Sequence, residues 1–323
     1  MQSWKFSIKP DCAEGFDAFH KCKESGIVGV GWSKAYEKEQ PKDYSHAKEL
    51  IKDFYKKDTI NEIDKLFSQI EPGDHLWMHR DGFYYLCIAG TKRYFAREIC
   101  EDFLNYDLGH AIEAKWLKVP DELVSGSIQR GVIAQRMIQR INLQDVEVLL
   151  NLYLQQNLER DPTWFPTIDN NKVGAAVERM TQDELFGLMS PDDVEDVIAA
   201  KLQTEGWILL KSTCFRSKST FEFSMINGNG KVGLVQVKSG NWPDSLAPVE
   251  YEQYLNCQKE IFLFSTNPNP YPGRCPKGIK CFTKEEVIHW MKGNCQMLSP
   301  TLKIKLQIIT GQRKLETVSG AQC

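Results

Sequence analysis

Two short apolar runs in the last third of the chain carry polar side chains that could cut a phosphodiester. The first run contains Glu222, and the second, residues 231–238, contains Gln236 and Lys238 two positions apart. Side chains two apart on a strand share a face, and Asn-Gly-Asn-Gly at 227–230 fits a hairpin turn between the runs. An acid beside Gln-x-Lys is typical of metal-dependent phosphodiesterase centres, where the carboxylate holds the cation and the ammonium orients the attacking water. The alternative is a buried strand that ends in a polar glutamine and a snorkelling lysine.

The elements that would position these residues begin with a well-capped helix. Ser190, Pro191 and Asp193 have the spacing of an N-cap, a first helical residue and a capping box. Apolar residues from Val194 to Leu202 then fall on one stripe, and Gly206 ends the helix. The predicted order is helix, three strands, helix, strand, loop, strand and helix, with the later elements at 207–210, 220–226, 231–238, 249–256, 260–265, 279–282 and 284–291.

This order, together with Gln-Val-Lys-Ser-Gly at 236–240, resembles the Mrr-like group of the PD-(D/E)XK, restriction-endonuclease-like nucleases. The resemblance covers about residues 188–295. It implies a restriction-endonuclease-like α/β domain with a central mixed sheet. It also implies a catalytic set of Glu195 on the first helix, Glu222, Gln236 and Lys238.

The same resemblance implies a Mg²⁺ or Mn²⁺ cofactor held by Glu222, Glu195 and the backbone carbonyl of Val237. Two features depart from the family pattern. Glu222 lies in Ser-Thr-Phe-Glu-Phe rather than in a glycine-rich context with Asp, and Gln236 replaces a carboxylate. The ligand set is therefore light, although Mg²⁺ keeps several waters and takes further oxygens from phosphate.

Length and composition suit a two-domain globular protein. The 323 residues exceed one typical core, and the apolar and charged fractions of 42% and 26% are ordinary. Ten cysteines are scattered without a framework, and neither a long apolar run nor a signal-peptide core is present, which predicts a cytoplasmic protein with no membrane segment. Residues 141–200 hold three Lys and Arg against twelve Asp and Glu, whereas residues 201–240 hold six against two. The positive excess falls on the proposed catalytic strands, where a phosphate backbone would lie.

The N-terminal third has a different pattern, with short strands rich in small and aromatic residues. Strands are predicted at 25–32, 74–78, 83–89 and 110–119, and helices at 43–55 and 59–70. We expect a small β-barrel with inserted helices.

These residues resemble the PUA/EVE-like domains, through Gly29-Val-Gly-Trp32, Ile70-x-Pro-Gly-Asp74, the Tyr84–Gly90 run and Ala114–Trp116. The resemblance covers about residues 1–125 and implies a reader of flipped, modified nucleobases. Such a pocket needs stacking faces and a polar group for the base edge. The candidate base-binding residues are Trp32, Trp77, Tyr84, Tyr85, Trp116 and Arg80.

The remaining segments complete the predicted organisation. Residues 126–188 read as a helical connector that could also carry homodimer contacts, 302–308 as an edge strand with protective lysines, and 311–323 as a flexible tail. The predicted domains are thus 1–125, 126–188 and 189–310, followed by the tail.

The sequence as a whole predicts an α/β (α+β) protein that acts as a metal-dependent DNA endonuclease. Its expected partner is double-stranded DNA, including DNA with modified bases, in restriction or anti-phage defence. Two alternatives remain open: a catalytically inactive nuclease fold that senses nucleic acid or a nucleotide, and an RNA-directed nuclease.

Overall fold

The chain folds into two compact units, Met1–Phe165 and Pro166–Cys323. Both are mixed α/β, and each contains one mixed sheet. Among the residues covered, no helix combines the length and apolar character needed to cross a membrane. This computed structural model describes residues 1–8, 10–56, 61–133, 137–214, 220–239 and 245–319.

The first unit is built on a six-stranded sheet with the order β2-β5-β4-β3-β1-β6. All neighbouring strands are antiparallel except β1 and β3, which run parallel. The six strands are β1 (Ser3–Phe6), β2 (Ile27–Val30), β3 (His75–Arg80), β4 (Phe83–Phe95), β5 (His110–Val119) and β6 (Ile138–Ile141).

In the part of this unit that the structure describes, five α-helices accompany the sheet, and aspartate side chains cap the first two. The Asp17 carboxylate caps the first helix by accepting hydrogen bonds from Phe19 N and His20 N, and Asp43 caps the second through His46 N. The helices are α1 (Ala18–Glu24), α2 (Tyr44–Tyr55), α3 (Asn61–Asp64, followed by a π-helical turn at Lys65–Gln69), α4 (Gly126–Ile133) and α5 (Asp145–Arg160).

The expected β-barrel is not what forms. In the described part of the chain, β2 pairs only with β5, and β6 pairs only with β1, so the sheet has two edges and stays open. The sequence pattern did not reveal this, because alternating apolar residues specify a strand with a buried face but not whether its sheet closes.

The second unit contains a five-stranded sheet with the order β11-β10-β9-β8-β7, whose strands are β7 (Trp207–Leu209), β8 (Phe223–Asn227), β9 (Val232–Lys238), β10 (Lys259–Ser265) and β11 (Ile279–Phe282). β8 runs antiparallel to both β7 and β9, and β9, β10 and β11 are parallel. The helices are α6 (Asn170–Arg179), α7 (Gln182–Gly187), α8 (Pro191–Thr204), α9 (Pro248–Tyr251), α10 (Lys284–Gly293) and α11 (Pro300–Ser319). The predicted order from α8 to α10 is confirmed.

The two faces of this second sheet bury different clusters. Val235 and Val237 of β9 pack with Phe262 and Phe264 of β10 in a core that also includes α8. Residues of opposite parity on the same strands, among them Leu234, Ile261 and Leu263, form a smaller cluster. Side chains alternate across a strand, so Gln236 and Lys238 lie on the face of this smaller cluster.

The segment expected to be a connector is divided between the units. β6 completes the first sheet, and the apolar stripe of α5, with Leu150, Leu154 and Leu158, is buried in the first unit. Val173 and Val177 of α6 instead belong to the core of the second unit. The division therefore falls between Phe165 and Pro166 rather than at 125 and 188.

The C-terminal prediction is wrong. Residues 302–308, expected as an edge strand, lie inside α11, and the expected tail continues this helix to Ser319. Leu302 and Leu306 are buried four residues apart, as a helical stripe requires, and Lys305 is fully buried rather than a protective surface charge. Residues 320–323 lie outside the described residues.

Candidate functional site

The β8–β9 hairpin brings Glu222 and Gln236 side by side. Phe223 of β8 is opposite Val235 of β9, and the carbonyl of Val235 also accepts a hydrogen bond from Glu222 N at 2.9 Å. Two successive residues, Glu222 and Phe223, thus meet Val235, as at a β-bulge, which holds Glu222 against the end of β9 that carries Gln236. β8 thus begins one residue after Glu222, but the pairing of β8 with β9 still fixes the position of Glu222.

Lys238 completes the group from the end of β9. Its Nζ donates to Glu222 Oε1 at 3.4 Å. The buried amide of Gln236 fits its surroundings when Oε1 accepts from Lys238 Nζ at 3.0 Å and Nε2 donates to the carbonyl of Thr220. The structure therefore brings together three of the four side chains predicted for catalysis, while Gly240 at the end of the motif lies outside the described residues.

The exposure of these groups differs in a way that suits a reactive site. Gln236 is only 2% exposed, whereas the side chains of Glu222 and Lys238 are 26% and 28% exposed. A partly exposed ion pair contributes little to folding stability. Because they are partly exposed, the carboxylate and the ammonium are accessible from solvent, while burial holds the amide behind them in place.

The donor atoms at this point suit a hard cation. Carbonyls two residues apart on a strand point the same way, so the carbonyl of Val237 faces the β8 side, like that of Val235, which Glu222 N occupies. Glu222 and Val237 thus offer oxygen donors at one end of β9. No three His, Cys, Asp or Glu side chains cluster as metal ligands in the described ranges. A cation here would depend on one or two carboxylates plus water and phosphate oxygens, which Mg²⁺ accepts.

The fourth predicted catalytic residue, Glu195, lies on α8 and is half-buried. Its helix packs through Val194, Val197 and Ile198 onto the core that includes Val235. This is the face of the sheet opposite to Gln236 and Lys238. The participation of Glu195 stays a prediction.

Two further features of the second unit escaped the sequence analysis. Lys305 Nζ donates to Asp193 Oδ2 at 2.6 Å, and this carboxylate also accepts from the backbone N and Oγ of Ser190. Tyr251 and Tyr254 contact Phe221, the residue before Glu222. Sequence spacing shows only that Leu302 and Leu306 lie four apart and that Tyr251 and Tyr254 lie three apart; it does not show their distant partners.

The first unit gathers three aromatic rings next to its α1 helix. Phe19 lies 5.4 Å from Tyr85 and 5.3 Å from Trp116 between ring centroids, in edge-to-face arrangements. Trp116 is half-buried and donates from Nε1 to the Ile27 carbonyl at 2.9 Å. Arg80 is partly exposed and lies over the Phe19 ring at 5.8 Å. Phe19, which the sequence analysis did not select, is therefore the centre of this cluster.

The other candidate base-binding rings differ in accessibility. Trp77 is fully buried, and Tyr84 and Tyr85 are 9% and 6% exposed, so a base could reach these rings only if the surrounding side chains moved. Trp32 is half-buried, has a left-handed backbone with φ of 72°, and meets Tyr55 edge-on at 5.0 Å. A positive φ is uncommon for a large side chain and marks a constrained position. Trp32 thus has the most unusual placement among the six candidates.

A buried polar pair lies in the same unit. His110 Nε2 is 2.6 Å from the hydroxyl of Tyr36, and Nδ1 is 3.3 Å from the Gly31 carbonyl. Since the carbonyl can only accept, Nδ1 carries the proton and Nε2 accepts from Tyr36. Burial lowers the pKa of His110 to about 3, against the opposing effect of the Gly31 hydrogen bond.

The two groups of residues permit different chemistry. Glu222, Gln236 and Lys238 offer oxygen donors and a cation for phosphate chemistry, whereas the rings near Trp32 and Trp116 offer stacking surfaces.

Comparison of the chain with protein-family models and with curated proteins gave no match.

Proposed function

We propose that this protein is a Mg²⁺- or Mn²⁺-dependent endodeoxyribonuclease with a PD-(D/E)XK, Mrr-like second unit. Its role would be modification-dependent restriction or anti-phage defence. The observation that carries the proposal is the junction of β8 and β9, where the Glu222 carboxylate, the Lys238 ammonium and the buried Gln236 amide meet within hydrogen-bonding distance.

In this proposal each residue of the site has a distinct task. Glu222 and the Val237 carbonyl hold the cation, and Glu195 would become a further ligand only if its side chain reached past the end of the sheet from the opposite face. The bound cation would polarise the phosphate and lower the pKa of a coordinated water. Lys238 orients the attacking water and balances the negative charge that develops on the phosphate. Gln236 keeps the ammonium in place, because its own amide is anchored to the Thr220 carbonyl.

The first unit would supply recognition as a PUA/EVE-like reader of modified or unpaired bases. The half-buried rings of Trp32 and Trp116 support this role. Trp32→Ala should remove the preference for a modified base and weaken binding by about 1–3 kcal/mol if a base stacks there. Competition binding with modified and unmodified oligonucleotides measures the preference, and circular dichroism checks that the variant is folded.

The direct test of the proposed activity is incubation with Mg²⁺ or Mn²⁺ and DNA of differing modification. Plasmid from modifying and non-modifying hosts and phage DNA with substituted bases provide the comparison. Cleavage that needs the metal and depends on the modification supports the proposal. Cleavage of RNA but of no DNA would favour the RNA-directed alternative.

A second candidate is a catalytically inactive nuclease fold that binds nucleic acid or a nucleotide and recruits partners. It is favoured by the small number of acidic ligands at the described site. Calorimetric titration of Mg²⁺ and Mn²⁺ into the protein separates the two, with Glu195→Gln as a comparison. If no metal binds even when DNA is present, the sensor is the better description.

A further inference from the structure

Three aromatic rings lie next to the proposed catalytic group in the second unit. Phe221 directly precedes Glu222, and its ring meets Tyr254 edge-on at 5.3 Å and Tyr251 at 5.8 Å. Phe221 is buried, while Tyr251 is half-buried and Tyr254 is 37% exposed. The buried ring therefore serves as a base on which two more accessible rings rest.

These rings lie on the same face of the sheet as the catalytic group. Phe221 and Tyr251 belong to the smaller cluster with Ile261 and Leu263 of β10. The register sets Leu263 beside Gln236, and Ser265 beside Lys238. Because side chains alternate along each strand, the face that carries the tyrosines is also the face of Gln236 and Lys238.

The pKa of Tyr251 also reflects its position near the catalytic group. Burial raises the pKa of Tyr251, and the charges of Glu250, Tyr254 and Glu222 raise it further. The Glu222 carboxylate therefore acts on the pKa of Tyr251, although the two residues are on separate elements. The short segment Pro248–Tyr254, formed by α9 and the 3₁₀ turn Glu252–Tyr254, lines one side of the catalytic group.

We propose that Tyr254, supported by Phe221 and Tyr251, stacks on an unpaired nucleobase beside the scissile phosphate, so that the site takes a single strand. This inference rests on the proposed function and narrows its substrate. Every base has a π-face, so one exposed ring can hold a nucleotide regardless of sequence. A duplex presents its bases stacked on one another, so it would have to open locally before its backbone could enter this site.

Binding to a labelled single-stranded oligonucleotide in the presence of EDTA tests the inference without cleavage. Loss of one stacked base predicts that Tyr254→Ala weakens binding roughly 5- to 150-fold. Tyr254→Phe keeps the ring and should bind like the wild type. Val249→Ala is the matched control, because Val249 is an exposed apolar residue of the same Pro248–Tyr254 segment and carries no ring. DNA and RNA strands of one sequence, and the DNA duplex, are compared side by side.

A second readout excludes binding through the first unit. An oligonucleotide containing 5-iodouracil is photo-crosslinked to the full chain, and the attached peptide is identified by mass spectrometry. The expected adduct is on Tyr254. The inference is overturned if no single strand binds, if Tyr254→Ala binds like the wild type, if Tyr254→Phe loses as much as Tyr254→Ala, or if adducts map only elsewhere.

The inference and the proposed function can fail separately. Binding and crosslinking at Tyr254 with no metal-dependent cleavage of any strand would retain the stacking site and reject the nuclease. If the wild type cleaves DNA and Tyr254→Ala cleaves both single strands and duplex at the same rates, the nuclease is retained and the stacking site is rejected.

Discussion

Gln236 shows how a single amide can organise a reactive pair. Its side chain is buried and contacts both the Thr220 carbonyl and the Lys238 ammonium. A carboxylate at this position would add a metal ligand, but it could not donate a hydrogen bond to Thr220. Under the proposed function, a glutamine here gives up one metal ligand and fixes the ammonium instead.

A different residue, His110, makes the stability of the first unit dependent on pH. Its folded pKa is about 3, below the usual 6.5 or so of an unfolded chain. Between these values the unfolded chain binds a proton that the folded chain does not. The contribution of His110 to the free energy of unfolding is therefore complete above about pH 6.5 and decreases as the pH falls. At pH 5 this contribution is lower by about 2 kcal/mol.

Urea unfolding measured at pH 8 and pH 5 checks this prediction. His110→Gln should reduce the loss between the two pH values, although it lowers stability at both. His79→Gln, at an exposed position of the same unit, is the comparison variant. An unaltered loss in His110→Gln would mean that other groups cause it.

At the scale of elements, the buried pair of Asp193 and Lys305 ties α11 to the start of α8. Removing one member leaves the other charge buried without its partner, which typically costs about 3–5 kcal/mol. Lys305→Ala should therefore lower the free energy of unfolding by this amount. The half-buried Lys303 on the same helix is the control, and Lys303→Ala should cost about 0–1 kcal/mol.

Chemical denaturation with matched m-values measures both variants. The double replacement Asp193→Asn with Lys305→Met should recover stability relative to Lys305→Ala, because no unpaired charge remains. A cost below about 1 kcal/mol for Lys305→Ala would contradict the buried pairing.

Local patterns predicted the elements around the catalytic group better than those at the C-terminus. Ser190, Pro191 and Asp193 specify the start of α8 through capping, which depends only on neighbours in sequence. Leu302 to Ile308 fits an alternating strand as well as a helix, and only tertiary packing selects the helix. The partnership of Lys305 with Asp193 spans 112 residues and could not be predicted from local spacing.

At the scale of the whole molecule, the division at Phe165 predicts which fragments fold. A fragment of residues 1–125 lacks β6 and α5, so the edge of β1 and the surface beneath Leu150 and Leu154 would be uncovered. A fragment of residues 1–165 should be folded, with cooperative thermal unfolding and dispersed amide resonances. The shorter fragment should lack both properties, and equal folding of the two would contradict this division.

The site follows the same logic as the fold. Glu222, Gln236 and Lys238 could be grouped from sequence, because a hairpin turn and strand alternation dictate their neighbourhood. The aromatic cluster around Phe19 and the position of Phe221 beneath Tyr254 join distant segments, so periodicity could not reveal them. Closure of the sheet likewise depends on contacts between its first and last strands.

The measurement that tests the central claim most directly is the rate of plasmid cleavage in Mg²⁺ or Mn²⁺ by single variants of the β8–β9 group. Glu222→Ala and Lys238→Ala should each lower the rate on the order of 100-fold or more, because one removes the chief metal ligand and the other a positioned cation. Lys231→Ala is the matched control, because Lys231 pairs with Glu260 at the opposite end of β9. This variant should cleave like the wild type. All three variants should keep the wild-type fold by circular dichroism. Near-normal cleavage by folded Glu222→Ala would contradict the assignment.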